Sequence, residues 1–198
     1  AVLDELDAKL SQKEYSSCHL ESDRLVRLAA ITAIDEEQAA DRFIADNLKY
    51  NGILRIAIRK AIINGNYPRA EKLCLDKITA TVRDYHWMRE WYDLLFEVYL
   101  KMGDVDKQSD LAKDLLVYKH DTKYYAVLKN LLTEKGVWEA EYPSFLELLG
   151  QNLPYHLYLD ILSTEGETLR LLAVIGVHPS SVFDYGKQLS AEFPKETY

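Results

Sequence analysis

The chain has 198 residues, 48% of them hydrophobic and 28% charged, which is enough apolar mass for a continuous core and excludes a disordered or low-complexity chain. A formal charge of −8 and a pI near 5.2 repel phosphate backbones and anionic bilayers, so neither nucleic acid nor membrane is expected as a partner of this segment. No apolar run reaches the ~20 residues that a bilayer span requires, and Cys18 and Cys74 match neither a metal spacing nor a bridged framework, so the expected setting is a reducing cytoplasm.

Apolar residues at Val2, Leu3, Leu6 and Leu10 keep the spacing of an amphipathic helix. Ser16, Ser17, Cys18 and His19 then read as a connection, Asp23 as the cap of a helix carrying Leu25 to Ile31, and Asp35 with Gln38 as a capping box for a helix running toward Leu48. Residues 51–63 are apolar around most of the circumference, as in a helix packed between neighbours. Gly65 ends that helix and Pro68 opens its partner, which carries Ala70, Leu73, Cys74, Leu75 and Ile78. Three further pairs follow: 88–101 with 105–118, 124–134 with 138–149, and 155–162 with 168–174. Pro179 starts a last helix toward Phe193, a capping helix over 179–198. The run Leu171 to Ile175 has strand composition, but its place in the repeat predicts helix.

Gly65, Gly103, Gly136 and Gly166 each close one apolar helical stretch and open the next, at separations that signal stacked helix pairs. The expected fold is therefore all-α, a right-handed α-α superhelix of antiparallel pairs. It is read as one domain over 1–198, with N-terminal helices in 1–50, repeats in 51–175 and the cap in 179–198. A start at Ala1, without Met and already in helical pattern, predicts a piece of a longer protein.

Gly65-Asn66-Tyr67 followed by Ala70, and Gly103-Asp104-Val105, resemble the turn inside tetratricopeptide repeats. The resemblance covers 51–175 and implies a superhelix whose first helices line the inner surface. The consensus Trp, Leu-Gly and Tyr positions are not all present, and the turn at Gly136 to Ala140 is displaced. The stretches Glu90 to Leu100 and Tyr185 to Pro194 also resemble the helical C-terminal region of bacterial SWIM zinc-finger proteins. That family's zinc-binding Cys and His motif is absent here, so the resemblance implies nothing about metal or DNA.

Charge is uneven: residues 51–80 carry +4, whereas 1–50, 81–120 and 121–198 carry −5, −2 and −5. Within the basic segment Asn51, Arg55 and Arg59 form a polar stripe at i, i+4, i+8, and Arg89, Asp93 and Glu97 repeat that spacing on the first helix of the next repeat. Guanidinium groups grip carboxylates in bidentate fashion, so a groove lined by these stripes implies an acidic-peptide cradle. The competing reading pairs Arg55 and Arg59 with Asp93 and Glu97, or leaves them in solvent. Fourteen tyrosines and three tryptophans exceed packing needs and suit binding surfaces. Trp91, Tyr92, Phe96 and Tyr99 keep core spacing, and Trp87, before that pattern, is the candidate for exposure.

Catalysis finds no constellation. Cys18 and His19 are adjacent rather than placed to share a proton, the five histidines form no H-x-x-x-H or H-E-x-x-H pattern, and paired acids such as Glu36-Glu37 lie at helix starts, where carboxylates complement the dipole. An isoprenoid-type helical enzyme would need a D-D-x-x-D-like cluster, which is lacking. The implied function is a scaffold without cofactor or metal, binding a protein, a peptide or another domain of the same protein. The alternative is the regulatory or oligomerising region of a transcription factor whose DNA-binding domain lies outside this chain.

Overall fold

The computed structural model describes residues 17–34, 37–80, 85–190 and 193. Among them every regular element is helical. These are α1 Ser17–Ala33, α2 Glu37–Asp46, α3 Asn51–Ile63, α4 Tyr67–Ala80, α5 Tyr85–Met102, α6 Val105–Val117, α7 Lys123–Glu134, α8 Trp138–Asn152, α9 Tyr155–Glu165, α10 Thr168–Val177 and α11 Val182–Leu189, with a short 3-10 turn at Pro179–Ser181 before the last. The helix predicted over 2–10 and the cap Asp35 lie outside the described residues. No described helix is long and apolar enough to cross a membrane.

Several boundaries differ from expectation for local reasons. A helix start at Asp23 is corrected, because α1 begins at Ser17 and runs through Asp23 without a break. Trp87 falls inside α5 rather than before it. Residues 179–181 form a 3-10 turn ahead of α11, so the α-helix starts at Val182 and not at Pro179, and most of the 179–198 reading beyond Ser190 lies outside the described residues. Leu171 to Ile175 are helical, as their place in the repeat predicts.

The four glycines share one geometry. At the end of α3 the Gly65 N–H donates to the Ile62 carbonyl at 3.0 Å and the Asn66 N–H to the Ala61 carbonyl at 2.8 Å. These are the two bonds of a Schellman cap, which needs a left-handed residue between them. Gly65 supplies it with φ 68°, and Gly103, Gly136 and Gly166 repeat the conformation and the bond pair. Asn66 serves twice, since its Oδ1 also accepts from the Arg69 N–H at 3.3 Å and so caps the start of α4. The end of α6 closes with a bond one residue longer, from the Asp121 N–H to the Leu115 carbonyl at 3.0 Å, with His120 at φ 57° in the left-handed position just before the donor. The His120 Nε2, 3.1 Å from the Asn152 carbonyl, ties that turn to the end of α8.

Packing groups the helices into two compact units, Ala1–Asp104 and Val105–Tyr198. The expected pair 88–101 with 105–118 spans that boundary, whereas inside the units α5 packs on α4 and α6 on α7. In the first unit the odd-numbered helices also meet, α1 with α3 and α3 with α5. Ile53 and Ile58 are fully enclosed, and Leu28, Ile31, Ala40 and Ile44 join Ile53 and Ala57 in one cluster. Burying such side chains stabilises by about 1.5–3 kcal/mol each. Trp91 and Tyr99 are core residues, while Tyr92 and Phe96 are half-buried.

The second unit continues in the same way, α6 on α7, α7 on α8, α8 on α9, α9 on α10 and α10 on α11. Its centre is leucine-rich, with Leu115, Leu116, Leu128, Leu146, Leu149, Leu159 and Leu162 almost wholly enclosed. Tyr125, Trp138 and Phe145 pack ring to ring at its edge, and Lys129 donates two hydrogen bonds to Glu165 at 2.8 and 2.7 Å while lying 5.7 Å from the Trp138 ring.

Candidate binding surface on the first helices

Contacts between helices fix how the first unit presents its odd-numbered helices. The Gly52 N–H at the start of α3 donates to Glu21 early in α1, and further along both helices Leu28 and Thr32 face Ile56 and Lys60 across a cleft. Positions ascend together, so α1 and α3 run parallel. Helix α4 turns back from α3 at Gly65, and α5 runs against α4: the carboxylate of Glu71 acts on Tyr99, that of Glu97 on Cys74, and Lys77 lies 5.6 Å from the Trp91 ring. Helix α5 therefore runs parallel to α3. Helices α1, α3 and α5 form a parallel row.

Gly52 lets α1 lie close to α3. A Cβ there would come within 3.0 Å of the Glu21 Oε1 and of a Leu25 methyl. Helix α1 packs along α3 through Leu28 and Ile31, which join Ile53 and Ala57, and leaves the adjoining face of α3 uncovered. Ile56, 37% exposed, Arg59, exposed, and Ile63, 82% exposed, share the face of α3 that remains open. Beside Ile56 lies a cleft of about 380 Å³ lined by Leu28, Thr32, Glu37, Ala40, Ile44, Ile56 and Lys60. Its lining is mainly aliphatic, with Glu37 and Lys60 at the rim.

The cations of α3 differ in what they meet. Arg55 makes a bidentate pair with Glu90 of α5, its Nη2 donating to Oε2 at 2.9 Å and its Nε to Oε1. The hydrogen bond and charge of Glu90, with a smaller contribution from Glu21, raise the Arg55 pKa against the opposing effect of burial. Lys60 donates to Asp41 at 2.7 Å and reaches Glu37 at 3.5 Å, and both raise its pKa. Arg59 makes no ion pair with any described residue.

The sequence candidates thus separate. The structure joins Arg55 to α5, but through Glu90 and not through Asp93 or Glu97, because α5 presents Glu90 at the level of Arg55. Asn51 and Arg59 are exposed on α3, and Asp93 is exposed on α5. Glu97 is half-buried and turned toward α4, where it adds to the rise in the Cys74 pKa. Trp87 is 70% exposed, yet it extends the stripe of Trp91 and Leu94 at i, i+4, i+7 rather than the edge carrying Glu90 and Asp93. The sequence pattern missed Ile56 and Ile63, which looked like core in an all-round apolar helix, and the cleft, which needs three helices to exist.

Cys74 is fully buried, and burial, then the carboxylates of Glu71 and Glu97, push its thiol up to about 12, so it is not a nucleophile at neutral pH. The Tyr125 and Tyr142 hydroxyls are buried without hydrogen-bond partners, and burial raises the pKa of both, with Glu165 and Glu167 adding to the effect. Among the described residues no three of His, Cys, Asp and Glu gather closely enough to hold a metal ion.

Comparison of the chain with protein-family models, curated proteins and solved structures finds no match.

Proposed function

We propose that the chain is a non-catalytic interaction scaffold that binds a protein or peptide partner, or another domain of its parent protein, on the open face of α3 between α1 and α5. In this reading the helix pairs continue as a right-handed, tetratricopeptide-like superhelix, and the parallel row of first helices forms the receiving wall. The observation that carries it is the placing of two exposed isoleucines, an exposed arginine and an aliphatic cleft on one face of an otherwise buried helix. Scattered exposed apolar residues are ordinary. Clustered ones beside a lined cleft are the pattern of a helix-in-groove or peptide site.

A displayed peptide library selected on the intact protein, then screened against an Ile56→Asp/Ile63→Asp variant of unchanged helicity, tests this. Selected peptides should lose binding to the variant. Peptides that bind both proteins equally would remove the α3 face from the function.

A further inference from the structure

Building on that docking reading, we infer that the cleft receives an apolar side chain of an acidic peptide whose neighbouring carboxylate is bound by Arg59. The argument is one of unspent charge. Three cations follow one another on the open side of α3, and two are already engaged: Arg55 by both carboxylate oxygens of Glu90, Lys60 by Asp41 and Glu37. Arg59 alone is left with its planar donor fork facing solvent. It stands three residues after Ile56, so its base lies about 5–6 Å from the cleft's edge along the helix. That is the separation between neighbouring side chains of a peptide ligand, whether helical or extended.

The rim also gives direction. Across the cleft from the Arg59 side stands Glu37, which with Asp41 shares the single ammonium of Lys60. An acidic residue placed there meets like charge, whereas on the α3 side it meets a guanidinium that can bind it bidentately. The aliphatic floor of Leu28, Ala40, Ile44 and Ile56 accepts a leucine or isoleucine without leaving a polar group unpaired. The ligand is therefore a peptide with a branched aliphatic anchor and an acidic residue within one helical turn of it.

The test uses the full chain and fluorescein-labelled short peptides carrying Leu with Glu three residues away, the same peptides with Glu replaced by Gln or Lys, and one with Leu replaced by Ala. Fluorescence anisotropy should give roughly tenfold weaker binding for the Gln form, and Arg59→Gln should weaken the Glu form equally while leaving the Gln form unchanged. Arg59→Glu should prefer the Lys form. Arg59 is exposed, so these variants keep the fold. Ile56→Asp, or the Leu→Ala peptide, should abolish binding of every form. Equal affinity for the Glu and Gln forms, or no affinity of the wild type for the Glu form, overturns the acidic assignment. If Ile56→Asp still abolishes peptide binding in that case, the docking reading stands without it. Binding untouched by Ile56→Asp overturns both.

Discussion

Replacing Gly65 by alanine isolates the cost of a single backbone conformation. Nothing lies within 4 Å of a Cβ built on Gly65, so no packing change accompanies the substitution. What remains is the left-handed φ of 68°, which costs an L-residue roughly 1–2 kcal/mol. Alanine recovers about 0.4–1 kcal/mol by narrowing the unfolded ensemble. The net loss is then about 1 kcal/mol, or roughly 4–8 °C in the melting of a unit of this size. Asparagine tolerates the left-handed region and should lose about half as much, while valine, branched at Cβ, should lose clearly more than alanine. Urea titration followed by circular dichroism gives the order, and hydrogen exchange at the α3 amides localises it to the first unit. Alanine at Gly136, whose Cβ also meets nothing within 4 Å, should cost the same within a few tenths of a kcal/mol. If alanine at Gly65 is neutral, or valine costs no more than alanine, the Schellman caps are not what these glycines are for.

Glu165→Gln should destabilise the second unit by roughly 1–3 kcal/mol, because the carboxylate is 13% exposed and accepts both Lys129 bonds. Thermal melts and exchange protection in α7 and α9 would register the loss, and an unchanged melt would count against it. Glu90→Gln should cost under about 1 kcal/mol, since the pair with Arg55 is largely exposed, yet it frees a second guanidinium and should tighten an acidic peptide several-fold in anisotropy. For Cys74 the folded pKa is raised, so the folded thiol stays protonated where the unfolded one ionises. Stability should therefore be fully present below about pH 8.5 and decline as pH rises toward about 12, by up to about 1.4 kcal/mol per pH unit. Cys74→Ala should flatten that alkaline slope by one proton. A slope unchanged in the variant would mean that the buried tyrosines carry all of it.

Much of the local structure was legible in the residues. Apolar periodicity located the helices from α3 to α10 to within a few residues, and the glycine turns marked four of the breaks, because a left-handed residue at a helix end has few alternatives to glycine. The break after α6 was less legible for the same reason, since His120 takes the glycine's conformation there and its bond to the Asn152 carbonyl comes from a helix 32 residues further along the chain. At the N-terminal end Asp23 is a good capping residue, but α1 continues through it because helix is cooperative once begun. For the candidate surface, periodicity found the basic stripe and could not find its partners. Arg55 meets Glu90 rather than Asp93 or Glu97 because the lateral register of two helices depends on how they pack against a third.

The one-dimensional pattern by itself determined that this chain is helical, where its helices turn, and which segment is basic, since propensity, caps and charge are properties of a few consecutive residues. Only the tertiary structure decided the division into two units, the parallel course of α1, α3 and α5, and the fact that Arg59, alone of the three cations toward the end of α3, keeps its charge unspent. It also decided that Ile56 and Ile63 face solvent. Whether an apolar side chain is core or contact depends on whether a neighbouring helix covers it, and Ile56 and Ile63 lie on the face of α3 that its neighbours leave exposed.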